Sequence, residues 1–188
     1  MFKFKSPRGI AARLSVVMLF VAASVTAGTA AASAADEEIV TLTATMSRIG
    51  VDHAVAKANG YDIRVDENGV EYTVKQGLIT PMSQETVYGD CGYSFIILQQ
   101  NSAGGAYVKT GYHVRAWTIG HSWDVGLNPG AGWNMDGGPT GTDWSADRVR
   151  TGVNDYATAW VLPGSSATLV DGSVCASGSP TASTYIWG

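Results

Sequence analysis

The sequence predicts a mainly β protein, an antiparallel β-sandwich or barrel with one disulfide, preceded by a short helix and a β-hairpin. Short segments of alternating apolar and polar residues recur in the second half of the chain, separated by glycine-rich turns. The chain has two cysteines, Cys91 and Cys175, far apart in the sequence. A helix-like segment and an Asn-Gly turn between two alternating segments come before the first cysteine.

Residues 1–35 have the organisation of a signal peptide. Four basic residues precede an apolar run at 14–24, and small residues follow up to an A-x-A-like site at 32–34. The apolar run is too short to serve as a lasting membrane anchor. We therefore expect cleavage after Ala34 or Ala35 and a secreted, extracellular protein with no membrane association.

The charge balance limits the class of partner. Residues 1–35 hold four of the 12 basic residues and none of the 16 acidic ones, so the remaining chain carries a net charge of −8. Such a chain repels phosphate backbones and anionic membranes, and no basic stripe appears in it. Nucleic acid is excluded as a partner, whereas a basic protein surface is compatible with this charge.

The two cysteines are predicted to form one structural disulfide. An oxidising compartment favours pairing of a lone pair of cysteines. Zinc binding is the alternative, but no CxxC or HxxxH spacing accompanies them. We predict a bridge between Cys91 and Cys175, and we expect no metal and no other cofactor.

Residues 36–86 are predicted to form an N-terminal lead segment, and residues 87–188 a disulfide-stapled β core. Residues 39–45 alternate and suit either an edge or donated strand or a flexible terminus. Residues 47–59 predict a short helix with Ser47 as its N-cap. Residues 61–65 and 70–74 predict a hairpin that turns at 66–69. A helix and a hairpin bury too little to be stable alone, so they must pack on the core or on a partner.

The core is predicted from a series of strands that alternate with turns. The strands are expected at 93–99, 106–119, 156–162, 167–170, 173–176 and 181–187, with another beginning within 121–125. In the longest of them, Tyr112 and Val114 are predicted to face one side, and His113, Arg115 and Trp117 the other. Residues 126–144 are predicted to form a long glycine-rich loop.

That loop contains the candidate ligand residues. Tryptophan faces stack on sugars or peptides, and carboxylates and amides bind hydroxyl or amide groups. The alternative is an ordered loop whose tryptophans cap the core. The residues concerned are Trp133, Asn134, Asp136, Asp143 and Trp144.

We expect no catalytic site, with a hydrolase left as an open alternative. A hydrolase would need His113 or His121 as its base, and neither belongs to a recognised nucleophile motif. Carboxylates for glycoside hydrolysis could come from Asp124, Asp136 and Asp143, but any loop rich in aspartate would offer such a set.

Three sequence blocks and the late cysteine resemble those of a group of small secreted actinobacterial proteins with alanine-rich leaders. The blocks are AKANGY at 56–61, DENGVEYTV at 66–74 and YGDCGYS at 88–94, followed by Cys175. Some proteins of this group resemble the small adaptor subunits of secreted umbrella toxin particles. Such an adaptor joins a lectin-bearing subunit to a spoke of the large toxin, and its N-terminal segment enters a cleft of its neighbour. The resemblance implies that residues 39–45, or the helix and hairpin, bind a partner protein.

The function predicted from the sequence is a secreted, non-enzymatic protein-interaction module, specifically an adaptor subunit of an extracellular toxin complex. Its partners would be other secreted proteins, among them a larger toxin and a lectin-bearing subunit. Two alternatives stay open: a secreted protease inhibitor, and a carbohydrate-binding module that uses Trp133 and Trp144. The residues expected to contact the partner are Ile39, Val40, Thr41, Leu42 and Thr43.

Overall fold

The computed structural model describes residues 39–77 and 91–187. Its elements in chain order are β1 Val40–Val51, α1 His53–Ala58, β2 Tyr61–Val65, β3 Glu71–Lys75, β4 Gly92–Gln100, β5 Ala106–Ser122, β6 Asp124–Asn128, β7 Ala131–Asn134, β8 Gly141–Arg150, β9 Asp155–Val161, β10 Ser166–Leu169, β11 Ser173–Ala176 and β12 Thr181–Ile186. The predictions for residues 1–38 and 78–90, which include the signal peptide, lie outside the described residues. No helix in the described ranges is long and apolar enough to cross a membrane.

The strands form two main antiparallel sheets and a separate hairpin. The larger sheet has the order β10-β11-β1-β4-β5-β8, the smaller one has the order β12-β9-β6-β7, and β2 pairs with β3. β10 also pairs with β5, which closes β10, β11, β1, β4 and β5 into a five-stranded barrel. Closure is possible because β5 is long: residues 106–113 pair with β8, and residues 118–122 pair with β10. The predicted antiparallel β class is confirmed.

The core lies between the two sheets and continues into the barrel. On β5, Tyr112 and Val114 are buried whereas His113 and Arg115 are exposed, as the alternation in the sequence predicts. The smaller sheet contributes the alternate positions 157, 159 and 161 of β9, all fully buried. Trp123 is the largest fully buried side chain of the described core, and its Nε1 donates a hydrogen bond to Thr110 Oγ1 at 3.1 Å.

The predicted disulfide between Cys91 and Cys175 is confirmed. Cys91 immediately precedes β4 and Cys175 lies in β11, and both residues are buried. β1 lies between β4 and β11 in the barrel, so the bridge joins the two strands that flank β1. A buried disulfide of this kind fits an extracellular protein.

The helix begins five residues later than expected, since its N-cap shifts from position 47 to position 52. The structure extends β1 to Val51, because residues 47–51 pair with β11 and thereby obtain strand hydrogen bonds. The N-cap is Asp52 instead of Ser47, and its Oδ1 accepts hydrogen bonds from Ala54 N and Val55 N, both at 3.0 Å. The helical pattern of residues 47–51 is therefore overridden by tertiary strand pairing.

The predicted hairpin is present as β2 and β3. The two strands are in register from Tyr61 with Lys75 to Val65 with Glu71. Gly69 at the turn has φ +80°, a conformation that glycine adopts without penalty. The hairpin strands therefore start and end within one residue of the predicted positions.

The first strand of the predicted lead segment, β1, is a strand of the barrel. The predicted boundary at residue 86 lies outside the described residues. The described residues belong to one compact unit, Asp36–Gly188. The helix packs on the turn between β10 and β11, where Asp52 N donates to Gly172 O at 2.7 Å. Ala56 is buried there, and a Cβ placed on Gly172 would lie 2.8 Å from the Cβ of Ala56.

Most of the predicted glycine-rich loop is strand. Residues 126–128 belong to β6, residues 131–134 form β7, and β8 begins at Gly141. Glycine and asparagine have low β propensity, so composition alone indicates a loop. The strands form because β6 pairs with β9 as well as with β7, and β8 pairs with β5. This correction places Trp133 and Asn134 on β7, and Asp143 and Trp144 on β8, whereas Asp136 lies in the connection between these strands.

Candidate functional site

β1 is paired differently along its two halves. Residues 40–46 pair with β4 through one edge, and β11 pairs with the other edge only over residues 47–51. Within 39–77 and 91–187, no strand pairs with that second edge over residues 40–46. We call the second edge of residues 40–43 the open edge. It contains four of the five residues predicted to bind a partner, and Ile39 precedes it.

The backbone groups of Thr41 and Thr43 point towards the open edge. The carbonyl of Met46 faces β4, because it accepts a hydrogen bond from the backbone N–H of Cys91, the residue just before that strand. The carbonyl of Thr45 faces the other way, since a Cβ placed on Gly178 would lie 2.6 Å from its oxygen. Backbone polar groups of successive residues alternate between the two edges of a strand. Thr41 and Thr43 therefore present N–H and C=O groups that can pair with another strand.

The open edge lacks the charges that usually protect sheet edges. β8, the last strand of the larger sheet, carries Asp143, Asp147, Arg148 and Arg150. Charged side chains on an edge strand discourage pairing with another chain. Residues 39–47 contain no charged side chain. Leu42, in the middle of the open edge, is 45% exposed, so an apolar side chain also faces solvent there.

The predicted ligand residues do not form one site. The Trp144 ring packs into an aromatic cluster, with centroids 4.2 Å from His121, 5.4 Å from Tyr112 and 5.7 Å from Trp123. Trp133 is partly buried and packs against the core. Trp144 has the capping role that the sequence left as an alternative, since its ring contacts buried side chains.

Asp136 and Asp143 both make local hydrogen bonds that stabilise their charged forms. The Asn134 side chain, followed by the Trp123 N–H at 2.7 Å, holds the pKa of Asp136 below its usual value. A hydrogen bond from His113, followed by one from Thr142, lowers the pKa of Asp143. Asp136 lies beside the β5–β6 junction, whereas Asp143 lies on the outer face of β8. The two carboxylates therefore do not belong to one site.

The two candidate catalytic histidines lie in different environments. His121 is buried, with Nε2 2.8 Å from Met135 O and Nδ1 3.2 Å from Tyr112 Oη, so both ring nitrogens have partners. His113 is exposed, and its Nδ1 lies 2.6 Å from Asp143 Oδ1. In the described ranges no nucleophilic side chain is hydrogen-bonded to His113 Nε2, and no group of three His, Cys, Asp or Glu side chains could hold a metal.

A shallow pocket of about 340 Å³ opens on the four-stranded sheet. Trp133 and Asn134 from the predicted set line it, together with Asp124 and Trp160. Trp160 was not singled out from the sequence. Its signal is the alternation of β9, in which Tyr156 and Trp160 occupy the face opposite the buried alanines.

Comparisons with known proteins give no relative. No family model matches the chain, and no curated protein and no solved structure matches it significantly. The function therefore has to be inferred from the open edge and the sheet surfaces.

Proposed function

We propose that this chain is a secreted protein-interaction module, and that the open edge of β1 binds an extended segment of a partner protein by strand addition. In the finer form of the proposal, the chain is an adaptor subunit of an extracellular toxin complex. The signal-peptide pattern of residues 1–35 and the disulfide support export of the protein.

The observation that carries this function is the difference between the open edge of β1 and the edge strand β8 of the same sheet. β8 is an edge strand with four charged side chains, whereas the open edge has none and displays Leu42. Proteins normally protect exposed edges because unpaired N–H and C=O groups recruit other chains. An uncharged, unprotected edge is the surface expected of a protein that pairs with a partner strand.

The length of the open edge sets what the partner must supply. Within residues 40–43, Thr41 and Thr43 direct backbone groups outward, which gives up to four main-chain hydrogen bonds, each worth about 0.5–1.5 kcal/mol net. Four such hydrogen bonds do not give a tight complex, because the free-energy cost of association offsets most of their contribution. The partner must therefore also bury Ile39 and Leu42 in an apolar pocket. A cleft that receives residues 39–43 satisfies both needs.

A partner bound at the open edge can also contact β12. This strand is uncharged, lies at the edge of the smaller sheet and packs against β1 and β4. A partner that approaches the open edge therefore meets two uncharged strands. The net charge of −8 outside residues 1–35 favours a partner with a basic surface around its cleft.

The test is co-purification from the native culture supernatant with two substitutions at one position. Thr43→Pro removes the outward N–H without touching the hydrogen bonds to β4, whereas Thr43→Ala keeps that N–H. We expect stoichiometric capture of a secreted protein by the wild type and by Thr43→Ala, and loss of capture by Thr43→Pro. Equal capture by Thr43→Pro, or recovery of the wild type as a lone monomer, would refute the proposal. Thermal melting of all three proteins checks that they fold.

A further inference from the structure

The outward face of the four-stranded sheet carries aromatic side chains at two places, separated by hydroxyl groups. On β9, Tyr156, Thr158 and Trp160 point outward because residues 157, 159 and 161 point into the core. On β12, Ser183 and Tyr185 lie on the same face, and Trp187 follows the strand. We call these six residues the outer strip.

Trp160 lies at one end of the outer strip. Its ring lies against the backbone of Gly126, where a Cβ would collide with the ring. Gly132 pairs with Gly126 on the next strand, so no side chain stands beside the ring on that side. The adjoining pocket places Asp124 next to Asn134, whose Nδ2 donates to Asp124 Oδ1 at 3.1 Å. A ring face therefore lies beside a carboxylate and an amide.

At the other end, three aromatic side chains lie together. Tyr156 and Tyr185 are cross-strand partners, and the ring centroids of Tyr185 and Trp187 are 4.5 Å apart. Tyr156 is 60% exposed and Trp187 is 61% exposed. Trp187 is held in place despite its position near the chain end, because its N and O are each hydrogen-bonded at 3.0 Å to the Gln100 side chain.

The distance between the two aromatic groups suits an extended chain. Trp160 and Tyr156 are four residues apart on one strand, or about 13 Å at a rise of about 3.3 Å per residue. Between them, the hydroxyls of Thr158 and Ser183 are hydrogen-bonded to each other at 2.9 Å. The four strands of this sheet contain no Lys or Arg, so the strip offers no cation to an anionic ligand.

We propose that the outer strip binds a neutral, extended polysaccharide. Sugar rings stack on aromatic faces through their C–H surfaces, and carboxylate and amide groups bind sugar hydroxyls. Protein hot spots gather their aromatic anchors in one central patch. Here the aromatic groups are separated along a strand with hydroxyls between them, which matches a polymer of repeating apolar faces and hydroxyls. This surface lies on the smaller sheet and is distinct from the open edge of β1.

The test is retention of the protein on insoluble chitin and insoluble cellulose, two neutral polymers that the strip could meet outside the cell. We compare the wild type with Trp160→Ala and with the double variant Tyr156→Ala/Trp187→Ala. Trp117→Ala is the matched control, because Trp117 is 59% exposed and lies on the barrel. We expect the wild type and Trp117→Ala to be retained on at least one polymer. Each strip variant should lose roughly tenfold in apparent affinity.

Three results would overturn the proposal: no retention of the wild type on either polymer, equal retention of the strip variants, or an equal loss in Trp117→Ala. Quenching of tryptophan fluorescence by soluble chitin or cellulose oligosaccharides supplies a second measurement. The double variant alters only exposed side chains, so its melting temperature should match that of the wild type. Thr43→Pro should keep polysaccharide binding, which separates this site from the open edge.

Discussion

Cys91 and Cys175 are joined across β1. Cys91 immediately precedes β4 on one side of β1, and Cys175 lies in β11 on the other side. The bridge lies beside the half of β1 that pairs with β11, residues 47–51, where Arg48 is the cross-strand partner of Cys175. Residues 40–43 lie beyond it and are paired on one side only. The barrel can therefore stay closed while the first half of β1 binds a partner.

Removal of this bridge should destabilise the fold strongly. The cysteines are 84 positions apart, and the chain-entropy model assigns a loop of that size about 4 to 5 kcal/mol. We expect the Cys91→Ala/Cys175→Ala variant to lose free energy of unfolding of about this size in urea titrations. Reduction of the wild type should give a similar loss. An unchanged unfolding midpoint would show that the barrel does not depend on the bridge.

Trp144 should contribute substantially to the stability of the fold. Its ring packs against Tyr112, His121 and Trp123, so Trp144→Ala opens a cavity and should cost about 3 kcal/mol. The exposed Trp117 has no such packing, and Trp117→Ala should change stability by less than about 0.5 kcal/mol. Chemical denaturation of both variants measures the difference. Equal losses would mean that the aromatic cluster does not support the core.

Gly111 should not tolerate even a methyl group. A Cβ at this position would collide with the Trp144 carbonyl of β8 and lie 2.9 Å from the Phe95 ring. Because a backbone atom cannot turn away as a side chain can, Gly111→Ala should cost about 1–3 kcal/mol. Gly132→Ala is the control, since its Cβ would lie 3.7 Å from Val125 O in ordinary contact. A stability of Gly111→Ala equal to that of the control would contradict the close approach of β5 and β8.

Asp136 should make stability depend on pH in the acid range. Its carboxylate accepts hydrogen bonds, chiefly from the Asn134 side chain and then from Trp123 N–H, and these lower its pKa in the folded state. The stabilisation is therefore fully present above the unfolded pKa and is lost as pH falls through the lower folded pKa. The melting-temperature difference between the wild type and Asp136→Ala should be largest above about pH 5 and shrink towards pH 2.

An NMR titration of the Asp136 carboxyl group checks the cause directly. Its midpoint should lie below the ordinary value of 3.8. A midpoint at or above that value, or a melting-temperature difference that does not vary with pH, would be incompatible with the hydrogen-bonded carboxylate.

The parts of the fold that could be predicted are those governed by local patterns. The faces of β5 follow from strict alternation around Tyr112 and His113, and the hairpin follows from the turn that ends in Asn68-Gly69. The disulfide follows from the presence of two cysteines in a chain with an export signal pattern. None of these needs knowledge of how distant strands pair.

The parts that were missed depend on distant pairing. Residues 47–51 carry a helical pattern but become strand because β11 pairs with them. The glycines of β6 and β7 indicate a loop by composition, yet Gly126 is the position on which the Trp160 ring rests. The outward position of Trp160 follows from the alternation of β9, but its contact with Gly126 depends on the pairing of β9 with β6.

The most direct test of the proposed function is site-specific photo-crosslinking at the open edge of β1 and, for comparison, on the edge strand β8. A benzophenone amino acid replaces Leu42 on β1 in one variant and Val149 on β8 in another; both residues are apolar and 45% exposed. After irradiation in native culture supernatant, we expect a discrete adduct with a secreted protein at position 42 and none at position 149. Absence of an adduct at 42, or equal adducts at both positions, would contradict strand addition at the open edge.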